Sequence, residues 1–284
     1  MRKASALTRF VASGIAVAAL LGGCGQAPAA TPDSGVPSPA QGAAAGAYQA
    51  RGGDPIGLPA GSVYSNPASG RDEVVVPDMR HTALLIGDSQ SEPMDGWPRL
   101  GLASVGYKVH FSGLGGTGFV ASNGKTGNYI DALQRGDWKL PYGTPALIVI
   151  QGGGNDAARG ATDAQIVANA DRLIAALKDR YPGARMAMIG TLARGTNYGG
   201  GRRTQVDALL GSVAARHGIP FVGVGDWLSK YNLAKNLADA VHMDATGRRS
   251  LGGLLGSKLR QLGLEGQPLD GTVPVATPAA TPAG

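Results

Sequence analysis

The run Ala146-Leu147-Ile148-Val149-Ile150-Gln151-Gly152-Gly153-Gly154-Asn155-Asp156 sets the architecture. Its leading apolar residues leave no polar face, as a strand covered on both sides requires. Three glycines follow, so the backbone can turn there and approach a ligand closely. Outward from this run, residues 81–87 (His-Thr-Ala-Leu-Leu-Ile-Gly), 185–190 (Arg-Met-Ala-Met-Ile-Gly) and 220–224 (Pro-Phe-Val-Gly-Val) read as further short apolar strands. Residues 107–112 (Tyr-Lys-Val-His-Phe-Ser) read as an alternating one. Between the strands, apolar residues recur three and four apart. They are Ile166, Ala170, Leu173, Ile174, Leu177 and Tyr181 in 163–181, Val206, Leu209, Leu210 and Val213 in 203–217, and Leu251, Leu254, Leu255 and Leu259 in 244–262. These are helical patterns. Strand and helix alternating across residues 78–264 predict an α/β fold with a mainly parallel five-stranded sheet. Ligands of such sheets sit at the carboxyl ends of the strands, so chemistry is expected in the residues that follow each strand.

Composition bounds the rest. Gly (46) and Pro (18) make up 64 of the 284 residues, well above an ordinary share of about 12%, and the excess belongs in loops and tails. With 43% hydrophobic residues the chain can still build a core, so it is not disordered throughout. A single cysteine excludes an internal disulfide framework and a thiolate metal cluster. The net charge is +6, and residues 78–264 hold 21 Lys and Arg against 14 Asp and Glu. That excess reads as a solvated basic surface, with attraction to anionic glycans or lipid headgroups as the sharper alternative. Only four Phe, and no basic stripe interleaved with aromatics, argue against nucleic acid as a partner.

Met1-Arg2-Lys3 through Arg9 is a positive n-region, and Val11 to Leu21 is an apolar stretch of eleven residues. That is too short to span a bilayer and suits a signal peptide. It ends Leu21-Gly22-Gly23-Cys24, which resembles the bacterial lipobox. The resemblance implies a signal peptide over 1–23, a lipidated Cys24 as mature N-terminus, and an extracytoplasmic protein anchored to a membrane by acyl chains. The plainer alternative is a cleaved secretory signal with a chance cysteine. Gly, Ala, Pro and Ser make up 33 of the 53 residues 25–77, too little apolar surface to offset the ordering entropy. Residues 24–77 are therefore expected to be a flexible tether reaching roughly 40 Å, with Glu73-Val74-Val75-Val76-Pro77 as a short edge strand at its end. Residues 265–284, ending Thr-Pro-Ala-Ala-Thr-Pro-Ala-Gly, read as a disordered tail.

Three strand ends carry reactive side chains. Gly87-Asp88-Ser89-Gln90-Ser91 follows the first strand. A helix is expected to begin here, which would place the Ser89 N–H at a helix N-terminus as an anion donor; an Asp or Ser helix cap is the plainer reading. Gly152-Gly153-Gly154-Asn155-Asp156 follows the third strand. Asn155 offers an uncharged N–H₂ suited to an oxyanion, or else the segment is a simple turn. Asp239-Ala240-Val241-His242 comes late. A serine needs a base to take its proton, and a histidine base needs a carboxylate to fix its tautomer; Asp239 is close enough to reach His242 Nδ1. An isolated Asp-x-x-His is otherwise surface polarity.

Each signal is weak alone, but their order and their placement at strand ends are not. Gly-Asp-Ser, a glycine-rich turn after the second strand, Gly-x-Asn-Asp and Asp-x-x-His resemble the SGNH/GDSL hydrolase family over about residues 80–262. The resemblance implies a three-layer α/β/α flavodoxin-like sandwich and ester hydrolysis without metal or cofactor. It also implies Ser89 as nucleophile, His242 as base and Asp239 as its orienter. The oxyanion donors it implies are the Ser89 N–H, the Gly116 N–H within Gly113-Leu114-Gly115-Gly116-Thr117-Gly118 (with Gly115 as the neighbouring possibility) and Asn155. The first block reads Gly-Asp-Ser-Gln-Ser rather than Gly-Asp-Ser-Leu, which leaves subfamily and substrate open.

Rival readings are thin. Gly113-x-Gly115-x-x-Gly118 matches a dinucleotide fingerprint after a strand, but Asn123-Gly124 and Gly127 argue against the helix that should follow. No Gly-x-Ser-x-Gly and no phosphate-binding Gly-x₄-Gly-Lys-Ser/Thr occurs. No two of His81, His110, His217 and His242 lie at metal-ligand spacing, and only His242 is read as having a carboxylate at a useful distance. Asp88 and Asp156 read as turn-stiffening carboxylates, and Ser91, Trp97 and Tyr107 as core. The expectation is thus a monomeric, membrane-anchored serine esterase acting on O-acyl esters of envelope or external glycan, or on small acyl esters. The alternatives are an O-acyltransferase with the same triad, which product analysis would separate, and a non-catalytic binding lipoprotein, which would have no need of Asp239 and His242 together.

Overall fold

The computed structural model describes residues 57–267 together with the backbone of one strand at residues 49–51. The expected signal peptide, Cys24 and the tail from residue 268 lie outside the described residues. In chain order the elements are β1 (Gln49–Arg51), β2 (Val63–Asn66), β3 (Arg71–Val74), β4 (Thr82–Gly87), α1 (Trp97–Ala103), β5 (Lys108–Gly113), α2 (Tyr129–Arg135) and β6 (Leu147–Gln151). They continue with α3 (Gly154–Ala158), α4 (Asp163–Arg180), β7 (Met186–Ile189), α5 (Gly201–Arg216), β8 (Phe221–Val222), α6 (Trp227–Lys230) and α7 (Ala245–Gln261). Strands β4 to β8 form one fully parallel sheet in the order β5-β4-β6-β7-β8. Counted along the chain that is 2-1-3-4-5, the flavodoxin-like order.

The apolar runs are buried because they face two layers. In β4, Leu84 and Ile86 pack with β6 residues Ile148 and Ile150 against α2, α4 and α5. Their alternates Ala83 and Leu85 pack with Leu147 and Val149 against α1, α6 and α7. Every residue of β6 is buried, which accounts for a run with no polar face. The result is the α/β/α sandwich. Among the described residues no helix is long and apolar enough to cross a membrane.

Two boundaries differ from expectation. The last part of the expected tether is ordered: β2 and β3 pair antiparallel, and β1 lies parallel to β2. Tyr64 is buried edge-on against Tyr142, with ring centroids 5.2 Å apart. Glu73 forms a buried ion pair with Arg180 at 2.7 Å, and Val74 N–H donates to Leu140 O at 3.0 Å. The few anchoring side chains, hidden among small residues, hold this segment to the domain, and the strand expected at Glu73 is centred earlier, at Arg71–Val74. At the other end, Tyr107 OH donates to Glu265 O and Gly266 N–H to Val105 O, so order runs past Leu264.

Helices α1 and α7 touch along a seam of small residues. A Cβ at Gly252 would lie 2.7 Å from Leu100 Cβ, whereas one at Gly253 would meet nothing within 4 Å. Overpacking of this kind costs about 1–3 kcal/mol, while an exposed helical Gly→Ala change gains up to about 1 kcal/mol. Gly252→Ala is therefore expected to destabilise the domain and Gly253→Ala to stabilise it slightly. Urea unfolding of the pair checks this, and equal effects at both positions would sink the account of the seam.

Candidate active site

The carboxyl ends of β4, β5 and β6 bring three loops together. After β4 the chain makes one tight turn, with Ser91 N–H and Glu92 N–H donating to Asp88 O at 2.9 and 3.0 Å. Gln90 N–H donates to Asp88 Oδ1 at 3.0 Å. The helix expected here does not form: Pro93 has no N–H to continue the turn, and α1 begins only at Trp97. Ser89 thus sits on an isolated turn, without a helix N-terminus beneath it. Gly87 is required for this geometry, since a Cβ there would come within 2.6 Å of Ser91 Oγ.

The structure brings Ser89, His242 and Asp239 into one line. His242 Nε2 lies 2.8 Å from Ser89 Oγ, and His242 Nδ1 lies 2.8 Å from Asp239 Oδ2. A carboxylate only accepts, so Nδ1 carries the proton and Nε2 is left to accept from the serine hydroxyl. Asp239 Oδ1 also accepts from Val241 N–H and His242 N–H, each at 2.7 Å. The His242 and Val241 N–H groups and the His242 ring hold the Asp239 carboxyl well below the ordinary carboxylate range. Both side chains are open to solvent, His242 40% and Asp239 55% exposed, so hydrogen bonds rather than packing hold them.

The loop after β5 supplies the facing wall. Buried Asp156 accepts from Phe119 N–H, Val120 N–H and Ala121 N–H at 2.7–3.0 Å. Asn155 Nδ2 donates to Thr117 O at 2.9 Å, leaving its second hydrogen available. Gly115 N–H already donates to Glu92 Oε2 at 2.8 Å. Gly116, at φ 79°, has an N–H with no partner among the described residues. No helix begins until Tyr129, so the dinucleotide fingerprint has no helix N-terminus to hold a pyrophosphate. A cavity of about 320 Å³ opens beside Ser89, which lines it with Gln90, Glu92, Pro93, His242, Met243 and Arg248. Hollows of about 380 and 450 Å³ elsewhere contain neither Ser89 nor His242. Among the described residues, no three His, Cys, Asp or Glu side chains gather as a metal site.

Two features escape the sequence reading. Asp78 and His81 share the Asp-x-x-His spacing, with His81 Nδ1 2.6 Å from Asp78 Oδ1, and His217 Nε2 lies 2.7 Å from Asp171. His242 is therefore not alone in having a carboxylate; it is set apart by meeting Ser89. Glu92 on the Gly115 N–H had no sequence signal, because the contact spans 23 residues and two loops.

Burial pushes the Asp88 carboxyl up to about 6, against the opposing effect of the Gln90 N–H. The native state then holds a proton that the unfolded chain has released between about pH 4 and 6, so this group lowers stability as pH rises through that window. At pH 7 a shift of this size corresponds to about 3 kcal/mol. Asp88→Asn keeps an acceptor oxygen for Gln90 N–H. Its unfolding free energy relative to the native sequence is expected to grow from near zero at pH 4 toward that value at pH 7. A difference that stays flat with pH in urea titrations would refute the assignment.

The model of the family described as GDSL-like lipase/acylhydrolase matches residues 85–249. Similar solved structures include a carbohydrate esterase family 2 enzyme with a carbohydrate-binding domain from Corynascus thermopiles (Myceliophthora fergusii). It is 16% identical at a TM-score of 0.51, covering 68% of this chain and 70% of that one. Family two carbohydrate esterases from Clostridium thermocellum, as an active-site mutant, and from Cellvibrio japonicus are 16% and 15% identical, each at a TM-score of 0.50. The matches cover 65% and 64% of this chain, and span 64% and 61% of those two chains. At such identities the likeness is one of fold. No curated protein matches the chain.

Proposed function

The chain belongs to the GDSL-like lipase/acylhydrolase family, and on that premise we propose that it is an extracytoplasmic serine esterase that removes short O-acyl groups, acetyl foremost, from carbohydrate. The observation that carries this reading is the 2.8 Å approach of His242 Nε2 to Ser89 Oγ, with Asp239 behind the ring. Ser89 Oγ attacks the ester carbonyl carbon while His242 Nε2 takes its proton. The oxyanion is held by Ser89 N–H, Gly116 N–H and the free hydrogen of Asn155 Nδ2. His242 then returns the proton to the departing alcohol, leaving Ser89 acylated. Water, deprotonated by the same histidine, attacks the acyl-enzyme; the bond to Ser89 Oγ breaks, His242 returns the proton to that oxygen, and the acid leaves.

The substrate class rests on two supports. The cavity at Ser89 is about 320 Å³ and has Glu92 and Arg248 in its walls, which suits acetyl better than a fatty chain. The enzymes of shared fold named above are carbohydrate esterases. For location, Leu21-Gly22-Gly23-Cys24 after an apolar run of eleven residues supports a lipid anchor on Cys24. Cys24→Ala would then move the protein out of the membrane fraction.

The central test is hydrolysis by the purified full-length chain. p-Nitrophenyl acetate is expected to turn over faster than the butyrate, and acetylated oligosaccharides to release acetate. Ser89→Ala is expected to fall to background, and Asn155→Ala to lose about 10²–10³-fold in kcat. Equal rates with and without Ser89 would overturn the esterase reading, and acetyl appearing on an added sugar instead of as free acetate would make the enzyme a transferase.

A further inference from the structure

The segment that carries the base has little to hold it. Residues 238–242 form an exposed loop whose bonds are mostly internal: Ala238 N–H to His242 O, and Val241 and His242 N–H to Asp239. Its base is closed by the Leu237–Met243 bridge and by Asp244 N–H donating to Asn236 O at 2.8 Å. These contacts give the loop a shape but do not place it over Ser89. Among the described residues, a single hydrogen bond reaches the backbone of 238–242 from outside: Gln90 Nε2 donates to Val241 O at 2.8 Å.

Gln90 is itself locked. It is buried, its backbone N–H is held by Asp88 Oδ1, and its Oε1 accepts from the indole N–H of Trp97 at 3.0 Å. An indole N–H can only donate and a carbonyl oxygen can only accept, so the amide has one satisfied orientation: oxygen to Trp97, nitrogen to Val241. Trp97 is fully buried at the start of α1, 6.3 Å from the Trp227 ring, and cannot yield. The chain Trp97–Gln90–Val241 therefore runs from the core, through the residue next to the nucleophile, to the residue next to the base.

We propose that Gln90, oriented by Trp97, is a positioning residue that sets the distance between His242 Nε2 and Ser89 Oγ. It makes no contact with the reacting atoms and acts through the loop that carries His242. This inference rests on the Ser89–His242 esterase reading. Losing the bond frees the loop to drift, and a misplacement of about 1 Å at a base costs roughly 10²-fold in rate.

The test uses the full chain and p-nitrophenyl acetate. Gln90→Met fills the same space without either hydrogen bond. It is expected to lower kcat by roughly 10- to 100-fold with KM within about twofold, because methionine keeps the volume that Gln90 fills in the cavity wall. Trp97→Phe leaves Gln90 in place but unaligned, and is expected to give a smaller loss of the same kind. The double variant should be no slower than Gln90→Met alone, since the two residues act in series. Thermal midpoints are measured for all three, and if Gln90→Met proves unfolded, Trp97→Phe carries the test. A kcat within twofold of the native chain in the folded variant, a loss confined to KM, or losses that multiply in the double variant would each overturn the proposal. If the native chain's own activity does not depend on Ser89, the esterase reading fails first.

Discussion

Strands β4 and β6 run parallel in a fixed register, Ala83 opposite Leu147 and Ile86 opposite Ile150. Side chains alternate between faces, so a slip of one residue would turn Leu84 and Ile86 out of one core layer and Ala83 and Leu85 out of the other. The apolar packing on both faces therefore fixes the register, and the register ends the two strands at one level. Gly87-Asp88-Ser89 and Gln151-Gly152-Gly153 begin there, on either side of the point where the chain reverses its direction across the sheet. A crevice at that place follows from topology, and the Ser89 turn and the Asn155 loop meet in it because their strands are neighbours.

What hangs above the sheet is tied down by carboxylates, Asp88 and Asp156 buried and Asp207 partly so. Asp88 accepts from Gln90 N–H after β4, and Asp156 accepts three consecutive N–H groups of the loop after β5. Asp207 accepts Thr191 N–H after β7 and Val224 N–H after β8. Loops rich in glycine have little side-chain packing to fix them, so directed bonds to a carboxylate do that work. Burial opposes it, pushing both Asp88 and Asp207 up to about 6. The carboxylate beside His242 is handled in the opposite way. Asp239 stays in solvent and is held low by two backbone N–H groups, which keeps it anionic beside the histidine it orients.

The sheet was readable because fully buried strands are the most one-sided signal a sequence carries; 146–151 and 163–181 match β6 and α4 to within a residue. Ser89 and Asn155 of the candidate site were readable because they directly follow such strands. Elements decided by one residue or by distant contacts were not. Pro93 turns an expected helix into a single turn. Tyr64 and Glu73 order a stretch whose small-residue composition reads as tether, through partners Tyr142 and Arg180 far along the chain. Gln90 could be seen only as a departure from Gly-Asp-Ser-Leu; its reach to Val241, 151 residues away, exists only in the fold.

The two Asp-x-x-His pairs show where the chemistry resides. Asp78–His81 and Asp239–His242 have the same spacing and nearly the same contact, 2.6 and 2.8 Å between Nδ1 and carboxylate. In each the carboxylate accepts from Nδ1, so in each neutral ring Nε2 is the nitrogen left to accept. The first pair lies where the chain enters β4, with His81 buried and Asp78 also gripping Lys108; no hydroxyl is bonded to that ring among the described residues. The second lies past the carboxyl ends of the strands, with Ser89 in line and solvent at hand. At one end of a parallel sheet the pair braces a strand entry, and at the other it faces a serine hydroxyl, because the carboxyl ends open loops of several strands onto one point.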